Sequence, residues 1–307
     1  MGTVQVVQSA KVVSPFRARA TVLGRRFREV GLQVLHNYTA MTGLCLLAFF
    51  FFLALAAPWL APYGPLEAVP DALPRTPYTT THPLGTNAFD YDIYSQVIWG
   101  TQISLIVGIF SAIVASVIGT VVGLVSGFVG GWVDEVIMRV NDVVLSIPWL
   151  VLMIVVAARV SYLDIWGIVF VIGFTGWSVT ARVIRSQVLS LKERMFVERG
   201  RMIGSSNAHI LIRHIFPNAF PLIFANTILT VAISILSESV LAFLGLSVKN
   251  NVSWGRIIAE AYENDALTIG MPGWMVVPGL CIVFLVFGFY LFGYALDEIL
   301  NPRLRRR

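Results

Sequence analysis

The chain has 307 residues, of which 57% are hydrophobic and only 13% are charged, and it carries a net charge of +5. Soluble domains carry about a quarter of their residues as charged groups, so this composition, with a mean hydropathy of +0.78, excludes an ordinary soluble domain and indicates an integral membrane protein. The two cysteines, Cys45 and Cys281, both sit inside apolar runs and offer neither a disulfide framework nor a metal-ligand spacing.

Residues 1–38 form a polar leader with six basic residues, Lys11, Arg17, Arg19, Arg25, Arg26 and Arg28. Phe27, Val30 and Val34, with Leu32 nearby, predict an amphipathic surface helix at its end. The first apolar run starts near residue 40, too deep for a usual cleaved signal sequence, and is predicted to be a true span. A helix rises about 1.5 Å per residue, so about 20 apolar residues cross a hydrocarbon core of ~30 Å. On that basis six spans are predicted in an all-α transmembrane domain, residues 39–300: Ala40–Leu60, Ile103–Val125, Val143–Ala158, Ile165–Ala181, His214–Ser237 and Trp274–Ala295. The third and fourth are short, and the third contains Pro148, so a re-entrant pair of half-spans is the alternative there. Residues 301–307 form a basic tail.

In span two, Gly119, Gly123, Gly127 and Gly131 recur every fourth residue, a ridge that lets another helix approach closely. Gly130-Gly131 reads as a turn that ends this helix. Trp99, Trp149, Trp166, Trp274 and Tyr290 read mostly as interfacial anchors. Between spans five and six, Ile257, Ile258 and Ala261 lie opposite Glu260, Glu263 and Asn264, which predicts a short amphipathic helix on the surface. Six spans put both termini on one side. Eighteen basic residues fall on that side, in the leader, the link after span two, the segment after span four and the tail; Arg75, Arg159, Lys249 and Arg256 make four on the other. This asymmetry predicts cytoplasmic termini.

The segment Val197–Asn218, "VERGRMIGSSNAHILIRHIFPN", breaks the apolar pattern on that same side. Ala208, Leu211, Ile212 and Ile215 recur at helical spacing and predict one apolar stripe, with Ser206, His209 and Arg213 on the other face. Gly204 followed by Ser205, Ser206 and Asn207 reads as a turn with helix-capping residues. Pro217 cannot donate to a helix and disfavours α geometry in Phe216, so a bend is predicted there. Three readings compete: a loop lying on anionic headgroups, a docking element for a partner on the same side, and a nucleic-acid patch, the last opposed by the absence of interleaved aromatics.

No G-x-x-x-x-G-K-[ST] phosphate loop, H-E-x-x-H or G-x-S-x-G occurs, and no catalytic residues or bound cofactor are predicted. His36, His82, His209 and His214 are scattered; His209 and His214, five apart, are poorly spaced to share a metal on one helix face. Ionisable groups cluster at span ends, which weighs against a proton- or sodium-coupled carrier. Glu238, at the outer end of span five, is the one deep candidate; it reads as a hydrogen-bonded interface residue, with the substrate path as the alternative.

These residues resemble a family. Glu198, Gly204 and Phe216-Pro217 stand at the spacing of the Glu-Ala-Ala, three residues, Gly, nine residues, Ile-x-Leu-Pro motif of permease subunits of bacterial ABC importers. "HPLGTN" at 82–87, "GGWVDEVIMRVNDVVLSIPWL" at 130–150, "ILSESVLAFLGLSV" at 235–248, "SWG" at 253–255 and the late "DEILNPRLR" resemble the dipeptide, oligopeptide and nickel branch, in its second-type permease. Arg199 and Gly200 stand where the family has two alanines, and "FDYDIYSQ" replaces a stretch that usually contains Gly-Arg-Asp.

The resemblance implies a permease in the bacterial cytoplasmic membrane that moves di- or oligopeptides by alternating access, with nickel or another small solute as the alternative cargo. Its implied partners are a second homologous permease, two cytoplasmic ATPase subunits that use ATP and Mg, and an external solute-binding protein; nucleic acid is not among them. It further implies that segment 193–217 couples to an ATPase through Glu198, Arg201, Gly204, Ser205, Ser206, Asn207, His209, Arg213 and Pro217.

Overall fold

A computed structural model describes residues 29–70, 73–160, 164–246 and 250–300. The leader to Arg28, including Phe27, lies outside the described residues, as do Asp71, residues 161–163, Lys249 and the tail 301–307. Residues 29–36 are helical, with Val30 and Val34 half-buried and Leu32 exposed. The remaining helices are α1 (Tyr38–Leu60), α2 (Ile93–Val129), α3 (Gly131–Ser146), α4 (Trp149–Arg159), α5 (Ile165–Lys192), α6 (Met195–Met202), α7 (Asn207–Ile210), α8 (Phe216–Phe243), α9 (Trp254–Glu263) and α10 (Gly273–Leu300). Between α7 and α8, Leu211–Ile215 form a π-helical turn, so Asn207–Phe243 is one continuous rod.

Several helices begin where a short polar side chain takes a free backbone N–H, which these residue types do well. Asn37 accepts from Ala40, Asp92 from Ser95, Asp164 from Gly167, Ser206 from His209 and Ser253 from Arg256. The apolar patterning then carries α1, α2, α5, the 207–243 rod and α10 across a length sufficient for a membrane. Spans four and five are longer than their uncharged runs alone indicate, because their polar ends continue as helix beyond the apolar stretch; span two, Ile93–Val129, stays within its uncharged run.

The third predicted span is corrected. Val143–Ala158 is not one helix: α3 stops at Ser146, α4 starts at Trp149, and their axes meet at 91°. Ile147 and Pro148 between them are extended, with ψ of 129° and 121°. Pro148 has no N–H to give and disfavours α geometry in the residue before it. The described chain therefore has five full-length spans and one broken span.

Packing fixes the directions. A Cβ built on Gly119 would lie 2.7 Å from the Trp177 carbonyl oxygen, one on Gly123 2.6 Å from that of Ala181, and one on Gly127 3.0 Å from that of Arg185. The ridge thus presses α2 backbone to backbone against α5 of the same chain, and the rising pairs of numbers show that the two helices run parallel. The broken α3–α4 segment carries the chain back between them. Gly43 against Phe292 and Gly288 against Leu46 pack α10 antiparallel to α1. Gly108 meets Ile235, while Gly119 meets Thr180, which accepts from Asn226, so α8 runs antiparallel to α2. Residue 38, residue 300 and the segment 193–215 consequently share one end of the bundle. The loop 61–92 and α9 occupy the other.

Candidate functional site

At the first end, α6 closes in a left-handed glycine cap. Gly204 has φ of +78°, its N–H donates to the Arg201 carbonyl, and the Ser205 N–H donates to that of Gly200. This pair of bonds takes up carbonyls that a helix end leaves free. Two residues later Ser206 caps the long rod, its Oγ accepting from the His209 N–H at 3.3 Å. Asn207, the first residue of that rod, is exposed.

The apolar stripe predicted from Ala208, Leu211, Ile212 and Ile215 is corrected. Ile210 and Ile215 are buried, together with Val197, Ala219, Ile184 and Val188, whereas Ala208 and Ile212 are exposed and Leu211 is partly buried. The cause is the π turn: the Phe216 N–H reaches back five residues to the Leu211 carbonyl, so residues five apart come onto one face. The same register overturns the spacing argument for His209 and His214, whose ring centres are 5.7 Å apart. The bend expected at Pro217 is also corrected. Pro217 sits exposed in the first turn of α8, where a missing N–H is tolerated, and the helix passes through it.

What remains exposed is a knob. Met202 and Ile203 are 73% and 82% exposed at the glycine cap, and Met195 and Ile212 of the same segment are exposed too. Glu198, Arg199, Arg201, His209 and Arg213 are exposed around it, and among the described residues none of the four charged groups has an ionic partner. Behind the knob, Asp134 at the start of α3 receives both Nε and a terminal nitrogen of Arg185 at 2.6 Å, and also the Ser126 hydroxyl. The ends of α2, α3 and α5 are thereby tied together.

Gly200, one of the two departures from the alanine pair, is buried in α6, and a Cβ there would meet Ile210 at an ordinary 3.6 Å. Its backbone needs no glycine. Gly200→Ala is therefore expected to stabilise α6 by up to ~1 kcal/mol, read as slower amide hydrogen exchange over 195–202.

In the middle of the bundle a cavity of about 710 Å³ opens at the α3–α4 break. Ile147, Pro148 and Trp149 of the break, Thr175 and Ser178 of α5, Asn226, Thr230 and Ser234 of the rod, and Tyr290 of α10 contribute to its wall. No lining residue is a carboxylate, imidazole, thiol or basic group. The sequence carries a signal for it, since Asn226, Thr230 and Ser234 recur every fourth residue of an otherwise apolar span. Reading the spans by charge passes over that signal because none of the three ionises. Glu238 does not line this cavity; it is 2% exposed, at the far end of the rod.

At the opposite end the described parts of the loop 61–92 are held by side-chain hydrogen bonds. Buried Asp92 holds the His82 ring nitrogen at 3.0 Å and the Ser95 hydroxyl at 2.6 Å. Asn87 donates to Gln96 and to Glu260 of α9, and Arg75 donates to Asn264 at 2.8 Å. Trp274 is fully buried here, not an interfacial anchor.

Residues 119–306 match the family of binding-protein-dependent transport system inner membrane components, and residues 26–77 match the N-terminal TM domain of oligopeptide transport permease C. The chain is 32% identical over 295 residues to the oligopeptide transport system permease protein OppC of Mycobacterium tuberculosis, covering 95% of this chain and 98% of that one. It is 32% identical to OppC of Bacillus subtilis over 91% of this chain and 90% of the relative. To the dipeptide transport system permease protein DppC of Bacillus subtilis it is 31% identical, over 88% and 83%.

Proposed function

This chain belongs to the binding-protein-dependent transport system inner membrane components, and from that premise we propose that it is the permease subunit of an ATP-driven importer of di- or oligopeptides. It is a multi-pass membrane protein, and its relatives over nearly the whole chain are peptide permeases. The observation that carries the mechanism is the continuity of the rod 207–243. One end bears the exposed knob at Met202–Arg213, and the middle lines the cavity.

In this reading the knob enters a groove of an ATPase subunit on the cytoplasmic side. Met202, Ile203 and Ile212 supply apolar contact, while Glu198, Arg201, His209 and Arg213 supply polar contact around it. Gly204, Ser205, Ser206 and Asn207 shape the corner between α6 and the rod, and Pro217 lies at the foot of α8. ATP, with Mg, is bound and hydrolysed in two such subunits, not in this chain. Their closure moves the knob, and the spans move with it as rigid bodies. A second, homologous permease completes the path, a solute-binding protein docks at the end formed by loop 61–92 and α9, and both termini are cytoplasmic.

The uncharged wall of the cavity, with Asn226, Thr230 and Tyr290 as its accessible neutral hydrogen-bonding groups, suits a peptide main chain better than a hydrated metal cation, which requires carboxylate or imidazole ligands. Peptide is therefore favoured over nickel as cargo. The test is uptake of a labelled dipeptide and a labelled pentapeptide into proteoliposomes holding this chain, its partner permease, the ATPases and the binding protein. Uptake should require internal ATP and survive a protonophore; uptake without ATP that a protonophore abolishes would reject the reading.

A further inference from the structure

Few polar groups in the cavity wall are free to bond a guest. The Ser178 hydroxyl is enclosed. The Thr175 hydroxyl donates to the Val171 carbonyl and the Thr230 hydroxyl to the Asn226 carbonyl, each at 2.8 Å and within its own helix. Asn226 differs. Its side-chain Nδ2 reaches from the rod to α5 and donates to the Thr180 hydroxyl at 3.0 Å. Its Oδ1 takes no bond within the described chain and is not enclosed.

Thr180 is itself fixed. It is 2% exposed, and a Cβ on Gly119 would fall 2.7 Å from the Thr180 Cβ. The threonine is therefore wedged between the glycine ridge of α2 and the rod, and it braces the Asn226 amide from a second helix.

An amide side chain has two donor hydrogens and an acceptor oxygen, and leaving them unbonded in the middle of an apolar span is costly. A leucine in the same space would avoid that cost. What the amide supplies instead is a neutral acceptor with a set direction. It stands in the wall of a cavity of about 710 Å³, within the ~300–1,000 Å³ of small-molecule sites. A side chain already held in place loses little rotamer freedom when a guest arrives. The wall has no charged group with which to read a terminus or an ionised side chain. The donor that a peptide carries whatever its side chains is the main-chain N–H.

We propose that Asn226 reads the peptide main chain: its Oδ1 accepts an amide N–H of the passing peptide, and Thr180 is the positioning residue that holds it. The proposal rests on the reading of the chain as a peptide permease. It names the part of that cargo the wall selects, an amide N–H rather than a side chain or a terminal charge.

The test compares a dipeptide with its depsipeptide analogue, in which an ester oxygen replaces the single amide N–H and the shape is kept. Uptake per assembled complex is measured in proteoliposomes holding the whole assembly, with each compound saturating the binding protein. The wild type should take up the dipeptide about tenfold faster than the ester, the size of one well-placed hydrogen bond. Asn226→Leu should bring the two within about twofold, by slowing the dipeptide and leaving the ester nearly unchanged. Thr180→Val, which keeps the shape and removes the acceptor, should cut the preference to about threefold. Adding it to Asn226→Leu should change nothing further, because both act on one amide. A full preference kept in Asn226→Leu, equal slowing of both compounds, or no preference in the wild type would overturn the proposal. If Asn226→Leu does not assemble, Thr180→Val decides: an unchanged preference there overturns it. A wild-type assembly that takes up neither compound, or takes them up without ATP, would instead refute the reading of the chain as an ATP-driven peptide permease.

Discussion

Gly204→Pro is expected to lower ATP-driven uptake by at least about tenfold while the chain still inserts and assembles. Proline fixes φ near −65°, and the residue here stands at +78° with its N–H bonded to the Arg201 carbonyl. The corner between α6 and the long rod must then open, and the knob at Met202–Ile203 turns away from its groove. Tenfold corresponds to a coupling free energy of about 1.4 kcal/mol, within the usual range. A charge reversal at exposed Glu198 should act in the same direction through the contact surface, without altering the corner. Uptake and ATP hydrolysis are measured together, because the signature is hydrolysis that proceeds without transport. Full uptake in both Gly204→Pro and Glu198→Lys would count against the assignment of this segment.

Gly123→Val should have the other large effect, on stability rather than coupling. Its Cβ would stand 2.6 Å from the Ala181 carbonyl oxygen and 2.9 Å from the Ile184 Cβ. Backbone and a β-branched side chain cannot yield there, so α2 and α5 must separate along their shared length. Overpacking costs about 1–3 kcal/mol where side chains can shift, and this site lies at the upper end or beyond. Gly176→Ala on the facing helix is the control, since its Cβ would meet Ala115 at a relaxed 3.6 Å. Thermal unfolding of the purified assembly in detergent should show a large drop for Gly123→Val and little change for Gly176→Ala. Equal melting of both would show that the ridge is not a tight interface.

The sequence made the spans, the glycine ridge, the Gly204 corner and the Ser206 cap legible, because each depends on local chemistry: apolar length, a missing Cβ, a backbone that only glycine adopts, a hydroxyl beside free amides. Register was harder. Ile210 and Ile215 are the buried residues of the knob because one π turn shifts the phase, and a stripe counted at 3.6 residues per turn selects Ala208 and Ile212 instead. Pro217 illustrates the same limit, since a proline marks a helix start as well as a break, and only the surrounding turn decides which. At Pro148 a break is foreseeable, but the 91° angle follows from two successive extended residues, Ile147 and Pro148, which the sequence alone does not specify. The cavity stayed hidden because its polar groups are neutral. Trp274 reads as an interfacial anchor by type, and only the fold shows it enclosed beneath the end loops.

The unbroken run from Asn207 to Phe243 has a mechanical meaning. At about 1.5 Å per residue it is a strut of about 55 Å. A swing of about 5° about one end displaces the other by about 5 Å, the diameter of a small side chain. In the proposed reading, a modest push at the knob would therefore displace the opposite end of the rod, some five nanometres away, with no helix melting in between.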